Sequence, residues 1–160
     1  MMVLTQKETM LLEDLKRQEQ VCIDKYERYA QDACDPTLGT LFWELSRTER
    51  DHLAEINRIL DGKAPSSANG AGGQTGEPAN DDFKRRAAYT TLSDGEDKCT
   101  DAYLCADALS MEKHVSSFYD TAIFEFAQQE LRDALNAIQR QEQEHGKRIY
   151  DYMAANGMPA

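Results

Sequence analysis

The chain has 160 residues, with 18 Lys and Arg against 29 Asp and Glu and a formal net charge of −11. That length makes one domain the default and allows a substantial core, and the acidity (pI about 4.7) excludes nucleic acid and anionic membrane surfaces as partners by repulsion. A hydrophobic content of 41% excludes wholesale disorder, and a mean hydropathy of −0.69 with no long apolar run excludes a membrane span.

The N-terminus, Met1 to Lys7, shows no charged segment followed by an apolar stretch. No secretory signal is expected, and the location reads as cytoplasmic. Thr5 with Glu8 forms a capping-box pair. Apolar residues then recur at Leu11, Leu12, Leu15, Val21, Cys22, Tyr26 and Tyr29, which predicts a first helix over about 5–33. Asp35-Pro36 supplies a cap and a first-turn proline, and Asp61-Gly62 a stop. Between them Leu38, Leu41, Phe42, Leu45, His52, Ile56, Ile59 and Leu60 mark the face of a second helix over 35–61.

Residues 62–80 hold five glycines, two prolines and almost no apolar anchor, and read as a flexible crossover. The role of residues 81–93 is ambiguous between a short helix and an extended stretch. Ser93 with Glu96 is a second capping box, opening a third helix over 94–127. A fourth follows over 128–156, stopped by Gly157 and Pro159. Two short connections and one long one among four helices predict an all-α four-helix bundle, with the crossover between helices 2 and 3. A linker between two separate hairpin domains is the alternative, disfavoured because an isolated hairpin of this size would struggle to bury both apolar faces. Cys22, Cys34, Cys99 and Cys105 show no metal-binding spacing and read as ordinary thiols.

The two helix pairs repeat one another at an offset of 93 residues. Glu19 corresponds to Glu112, Tyr26 to Tyr119, Leu38 to Leu131, Glu49 to Glu142, His52 to His145 and Ile56 to Ile149. Glu49 and His52 stand at i and i+3 on one helical face, as do Glu142 and His145, so each pair can converge on a point. Glu19 shares a stripe with Leu15, Cys22 and Tyr26, and Tyr26 and Tyr119 follow the lone glutamates two turns on. The pattern aims four glutamates and two histidines at one core.

Solvated surface charge is the simplest alternative for any one of these residues. The same Glu-x-x-His twice, each 30 residues after a further Glu, makes that reading improbable. Four buried carboxylates without a counter-charge would repel and desolvate at several kcal/mol per ion. Two divalent cations offset that charge, and oxygen with imidazole donors suits iron or manganese. A decayed site kept for its fold is the remaining alternative.

The pattern Glu…ExxH, Glu…ExxH resembles that of the ferritin-like di-iron and di-manganese carboxylate proteins. Glu19 with Tyr26 and Tyr29-Ala30 looks like the first ligand helix of the rubrerythrin group. Carried over, that resemblance implies Glu19 and Glu112 as terminal ligands, Glu49 and Glu142 as bridges, and His52 and His145 as one ligand to each of two iron (or manganese) ions. Tyr26 and Tyr119 would orient carboxylates. Val115 stands where rubrerythrins carry a further carboxylate, and no four-cysteine iron site of the rubredoxin kind follows, so their peroxidase cycle is not implied. His114, about 200° around the helix from Glu112, reads as a non-ligand.

A second resemblance rests on LTQKETMLLEDLKRQEQVCIDKY and on the run from Met111 to Met158. Both are similar to the Coat F family, ferritin-like proteins of spore-forming bacteria. It implies incorporation into a spore coat, with coat-assembly partners or a homodimer. Two functions follow as expectations: oxygen or peroxide redox chemistry at a dinuclear centre, or a structural coat protein whose metals only hold the bundle together.

Overall fold

The computed structural model describes residues 1–66 and 94–160. Among these the chain is all-helical: α1 (Gln6–Asp32), α2 (Pro36–Leu60), α3 (Asp94–Ile123) and α4 (Gln129–Ala155). Most of the Gly-rich crossover, the ambiguous stretch 81–93 and the Ser93 cap lie outside the described residues.

Helix ends form where side chains or left-handed glycines satisfy backbone groups that the helix leaves open. At the start of α1, Glu8 N donates to Thr5 Oγ1 (3.2 Å) and Thr5 N donates to Glu8 Oε2 (2.8 Å). Thr37 N donates to Asp35 Oδ1 (3.1 Å) ahead of α2, whose first residue is Pro36. Gly62 (φ 75°) and Gly157 (φ 65°) close α2 and α4 in the left-handed region. Beyond each glycine the next N–H reaches back to a last-turn carbonyl, Lys63 to Arg58 (3.1 Å) and Met158 to Met153 (2.9 Å).

The third helix is shorter than its expected run through Ala127. It stops at Ile123, and residues 124–128 form the turn. Phe126 is drawn into the core at 3% exposure, while Phe124 is left outside. The freed backbone finds side-chain partners: Ala127 N donates to Glu8 Oε1 (3.2 Å), and Arg132 donates to the carbonyls of Phe126 (2.9 Å) and Ala127 (2.6 Å).

Short turns make α1–α2 and α3–α4 antiparallel hairpins, which meet through α1 against α3 and α2 against α4, consistent with a four-helix bundle. Partners on α3 fall in number as those on α1 rise, from Lys7–Glu125 through Glu19–Tyr119 to Lys25–Asp107, so these helices also run antiparallel. The Glu44–Arg148 (2.6 Å) and His52–Glu142 (3.0 Å) pairs give α2 and α4 the same relation. Leu12, Leu15, Leu38, Leu41, Phe42, Leu45, Ile56, Ile59, Leu131, Leu135 and Ile149 are buried in the core, each adding about 1.5–3 kcal/mol of transfer free energy. Val21 leaves the α1 stripe and faces solvent, and Trp43 is 52% exposed. No helix among the described residues is long and apolar enough to cross a membrane.

Candidate metal centre

Each helix brings acidic or imidazole groups to the middle of the bundle. α1 contributes Glu19, α2 Glu49 and His52, α3 Glu112, α4 Glu142 and His145, and none of the six is more than 4% exposed. Charged residues occupy such positions only when paired or ligating. The i, i+3 spacing lets each histidine meet the carboxylate of its own helix. His52 Nδ1 lies 2.9 Å from Glu49 Oε2 and 3.0 Å from Glu142 Oε1, with Glu19 Oε2 at 3.7 Å. His145 Nδ1 lies 3.0 Å from Glu49 Oε1, 3.3 Å from Glu112 Oε1 and 3.6 Å from Glu142 Oε2. The two imidazoles stack with centroids 5.9 Å apart.

Two overlapping groups result, Glu19, Glu49, His52 and Glu142, and Glu49, Glu112, Glu142 and His145. Within each, one donor atom per residue lies within 4.8 Å of the others. Glu49 and Glu142 belong to both. Tyr26 donates its hydroxyl to Glu112 Oε1 and Tyr119 donates its own to Glu19 Oε1. Each tyrosine therefore serves the glutamate of the opposite hairpin, a crossing that the spacing within one helix did not reveal.

The donor chemistry fits cations. Glu19 Oε2, Glu112 Oε2 and Glu142 Oε2 are buried without a hydrogen-bond partner, and each such orphan costs about 1–3 kcal/mol, more when charged. In Glu19 and Glu112 the tyrosine occupies one carboxylate oxygen and the other is left bare. Metal-free, the cluster holds protons instead. Burial pushes Glu112 up to about 7 and Glu19 well above the usual carboxylate range. Burial works against Glu49 too, yet hydrogen bonds from His145 and His52 bring it down to about 2. Glu142 is also lowered, its hydrogen bonds to Glu112 and the histidines outweighing burial. Burial opposes charge on His52 and His145, but the surrounding carboxylates hold both well above the ordinary imidazole value. The two shared carboxylates are thus the ones kept ionised.

The neighbouring residues separate cleanly. Burial, then the charges of Glu49 and Glu19, raises the Cys22 thiol far above its ordinary value, so it remains a protonated, buried group. Val115 is buried and brings no further carboxylate, and exposed His114 packs edge-on against Phe118 outside the cluster. All four cysteines are free thiols. Sequence reasoning missed Gln141, whose carboxamide oxygen lies 2.5 Å from His52 Nε2. Nothing in helical periodicity distinguishes it from other polar residues of α4.

Fold and cluster together define a class: an all-helical protein with a buried carboxylate and histidine constellation of metal-ligand composition. A family model for the Coat F domain matches residues 100–160, a stretch that takes in most of α3 and all of α4 with Glu112, Glu142 and His145. α1 and α2 lie outside that match. No curated protein and no solved structure matches the chain.

Proposed function

We propose that this chain is a single ferritin-like domain over 1–160, with an internal two-fold repeat, that binds two iron or manganese ions and works in a spore coat setting. The observation that carries the metal reading is the sharing of Glu49 and Glu142 between two four-residue groups, beside three orphaned carboxylate oxygens. On this reading Glu49 and Glu142 would serve both ions, Glu19 with His52 would help hold one, and Glu112 with His145 would help hold the other. The Coat F match supports the spore coat setting and coat-assembly partners.

Bound iron in this ligand set supplies electron transfer to or from oxygen or peroxide. The residues themselves hold and orient. Tyr26 and Tyr119, whose hydroxyls burial and nearby carboxylates keep protonated, pin Oε1 of Glu112 and Glu19 and leave Oε2 of each without a partner. Leu15, Leu45 and Ile149, each one helical turn from a cluster residue in sequence, are fully buried.

A structural role is the second reading, favoured by burial. Two surface depressions, one along α4 around Asn136 and Arg140 and one between α1 and α3 around Leu11 and Phe118, include none of the six residues. Elemental analysis of protein isolated from a spore former without added metal separates the cases, joined to turnover assays of wild type, Glu49→Ala and His52→Ala. Iron or manganese at two per chain, with peroxide or oxygen turnover lost in both folded variants, supports the redox reading. Two ions with no turnover assign the metals a structural role, and zinc alone or no metal sinks the iron and manganese reading.

A further inference from the structure

The two halves of the cluster are near-equivalent at their centre and differ at its edge. Both histidines turn Nδ1 inward to carboxylates, and both lone glutamates accept a tyrosine hydroxyl from across the bundle. The outward ring nitrogens are not alike. His52 Nε2 donates to Gln141 Oε1 at 2.5 Å. His145, only 4% exposed, has no partner at Nε2 among the described residues, because its hydrogen bonds all run from Nδ1. The residue 93 positions before Gln141 is Thr48, whose side chain is two bonds shorter.

A ligand histidine whose second nitrogen is held by an acceptor has its ring orientation and its donor nitrogen fixed in advance, and its basicity raised. Gln141 does this for His52: with the proton on Nε2 committed to the carboxamide, the Nδ1 lone pair is the one offered to the centre. His145 Nε2, which is not among the buried orphaned atoms, has solvent in place of a fixed acceptor and leaves its ring less firmly held before a cation arrives. Cys22, which stands where the other half has Val115, is another difference between the halves, but its thiol stays protonated and belongs to neither ligand group.

We propose that Gln141 is a positioning residue that makes the Glu19–His52 half the tighter cation position, so that the two halves of the centre fill in order. The proposal rests on the dinuclear reading above, and the two can fail separately.

The test is a calorimetric titration of zinc ion, a diamagnetic probe, into the full metal-free chain, with nitrogen-edited NMR of the histidine side chains. Wild type is expected to bind in two steps separated by about tenfold or more. Its His52 Nε2–H signal should be protected from solvent exchange. In Gln141→Leu the tighter step weakens by about 10–100-fold, the looser step keeps its affinity, and the protected signal is lost. Gln141→Glu, which retains an acceptor, restores both the signal and the separation, and so distinguishes positioning from general loss of packing. Two indistinguishable steps in wild type, or equal weakening of both steps in Gln141→Leu, overturn the proposal alone. If wild type binds no zinc at all, the dinuclear reading falls and takes the filling order with it.

Discussion

Glu8 and Asp101, 93 residues apart, do the same work in opposite hairpins. Each is a buried carboxylate near the start of its helix that accepts backbone N–H groups from the turn of the other hairpin. Glu8 takes Ala127 N at 3.2 Å, while Asp101 takes Cys34 N at 2.7 Å and Asp35 N at 2.9 Å. Cys34 and Ala127 are themselves 93 residues apart, so the exchange is reciprocal. Together with the crossed Tyr26–Glu112 and Tyr119–Glu19 bonds, these contacts tie α1 to α3 at three levels.

Loss of Asp101 should therefore loosen the joint between hairpins rather than one helix end. Asp101→Ala strands two turn N–H groups that are out of reach of α3 backbone. The expected cost is about 1–3 kcal/mol, because both donors are only part-buried and water can partly replace the carboxylate. Urea unfolding followed by circular dichroism measures it, and a loss below about 0.5 kcal/mol would show that water or backbone rearrangement replaces the carboxylate.

Glu8 gives the same joint a pH dependence. Burial works to raise its pKa from 4.5, but hydrogen bonds from Thr5 and Ala127 outweigh burial and hold it lower. A carboxyl depressed in the folded state stabilises above its unfolded value and loses that contribution as pH falls through the folded one. Stability curves of wild type and Glu8→Gln should therefore lie furthest apart at neutral pH and converge on acidification below about 4.5. Denaturant midpoints at a series of pH values test this. Parallel curves would remove Glu8 as a titrating contributor.

Much of this arrangement was readable before any coordinates, and the limit has a physical cause. Helical periodicity fixes which residues share a face of one helix, so the stripe from Leu38 to Ile59 on α2 and the Glu49–His52 and Glu142–His145 pairs could be placed together. Periodicity says nothing about the angle at which two helices meet. Which glutamate each tyrosine reaches, and Gln141 at His52, depend on the antiparallel pairing of α1 with α3 and α2 with α4. The offset of 93 did carry an unread signal, since it sets Asp101 opposite Glu8. The early end of α3 escaped because burying Phe126 overrides a helical propensity that continues through the turn. Val21 beside Cys22 shows the converse, an apolar residue on the solvent side of a stripe.

The crossed tyrosines make a symmetric prediction. Tyr26→Phe and Tyr119→Phe each remove a hydroxyl that donates to a buried carboxylate. Each should cost about 0.5–1.5 kcal/mol in the metal-free protein, the net range for an ordinary hydrogen bond, because burial favours the protonated form of both glutamates. The two costs should agree within about 0.5 kcal/mol, because the bonds are equivalent under the offset. Thermal unfolding of both variants reads this directly. A large effect from one tyrosine alone would break the equivalence.

Glu19→Gln should have different consequences with and without cations. Metal-free, Glu19 sits among like charges with its pKa driven well above normal, first by burial and then by the charges of Glu49 and Glu142 against the opposing hydrogen bond to His52. A neutral amide keeps an oxygen for Tyr119 and, like the protonated carboxyl it replaces, carries no charge, so the metal-free variant should match wild type within about 1 kcal/mol. Cation binding stabilises the folded state by an amount set by affinity, about 2.7 kcal/mol at a free concentration of 100 Kd. Wild type should gain that increment with manganese and lose it again on chelation, whereas the variant, having replaced the orphaned Oε2 with an amide, should gain far less. Melting midpoints of both proteins with manganese, then with excess chelator, decide the matter. An equal manganese response in the two proteins would remove Glu19 from the ligand set.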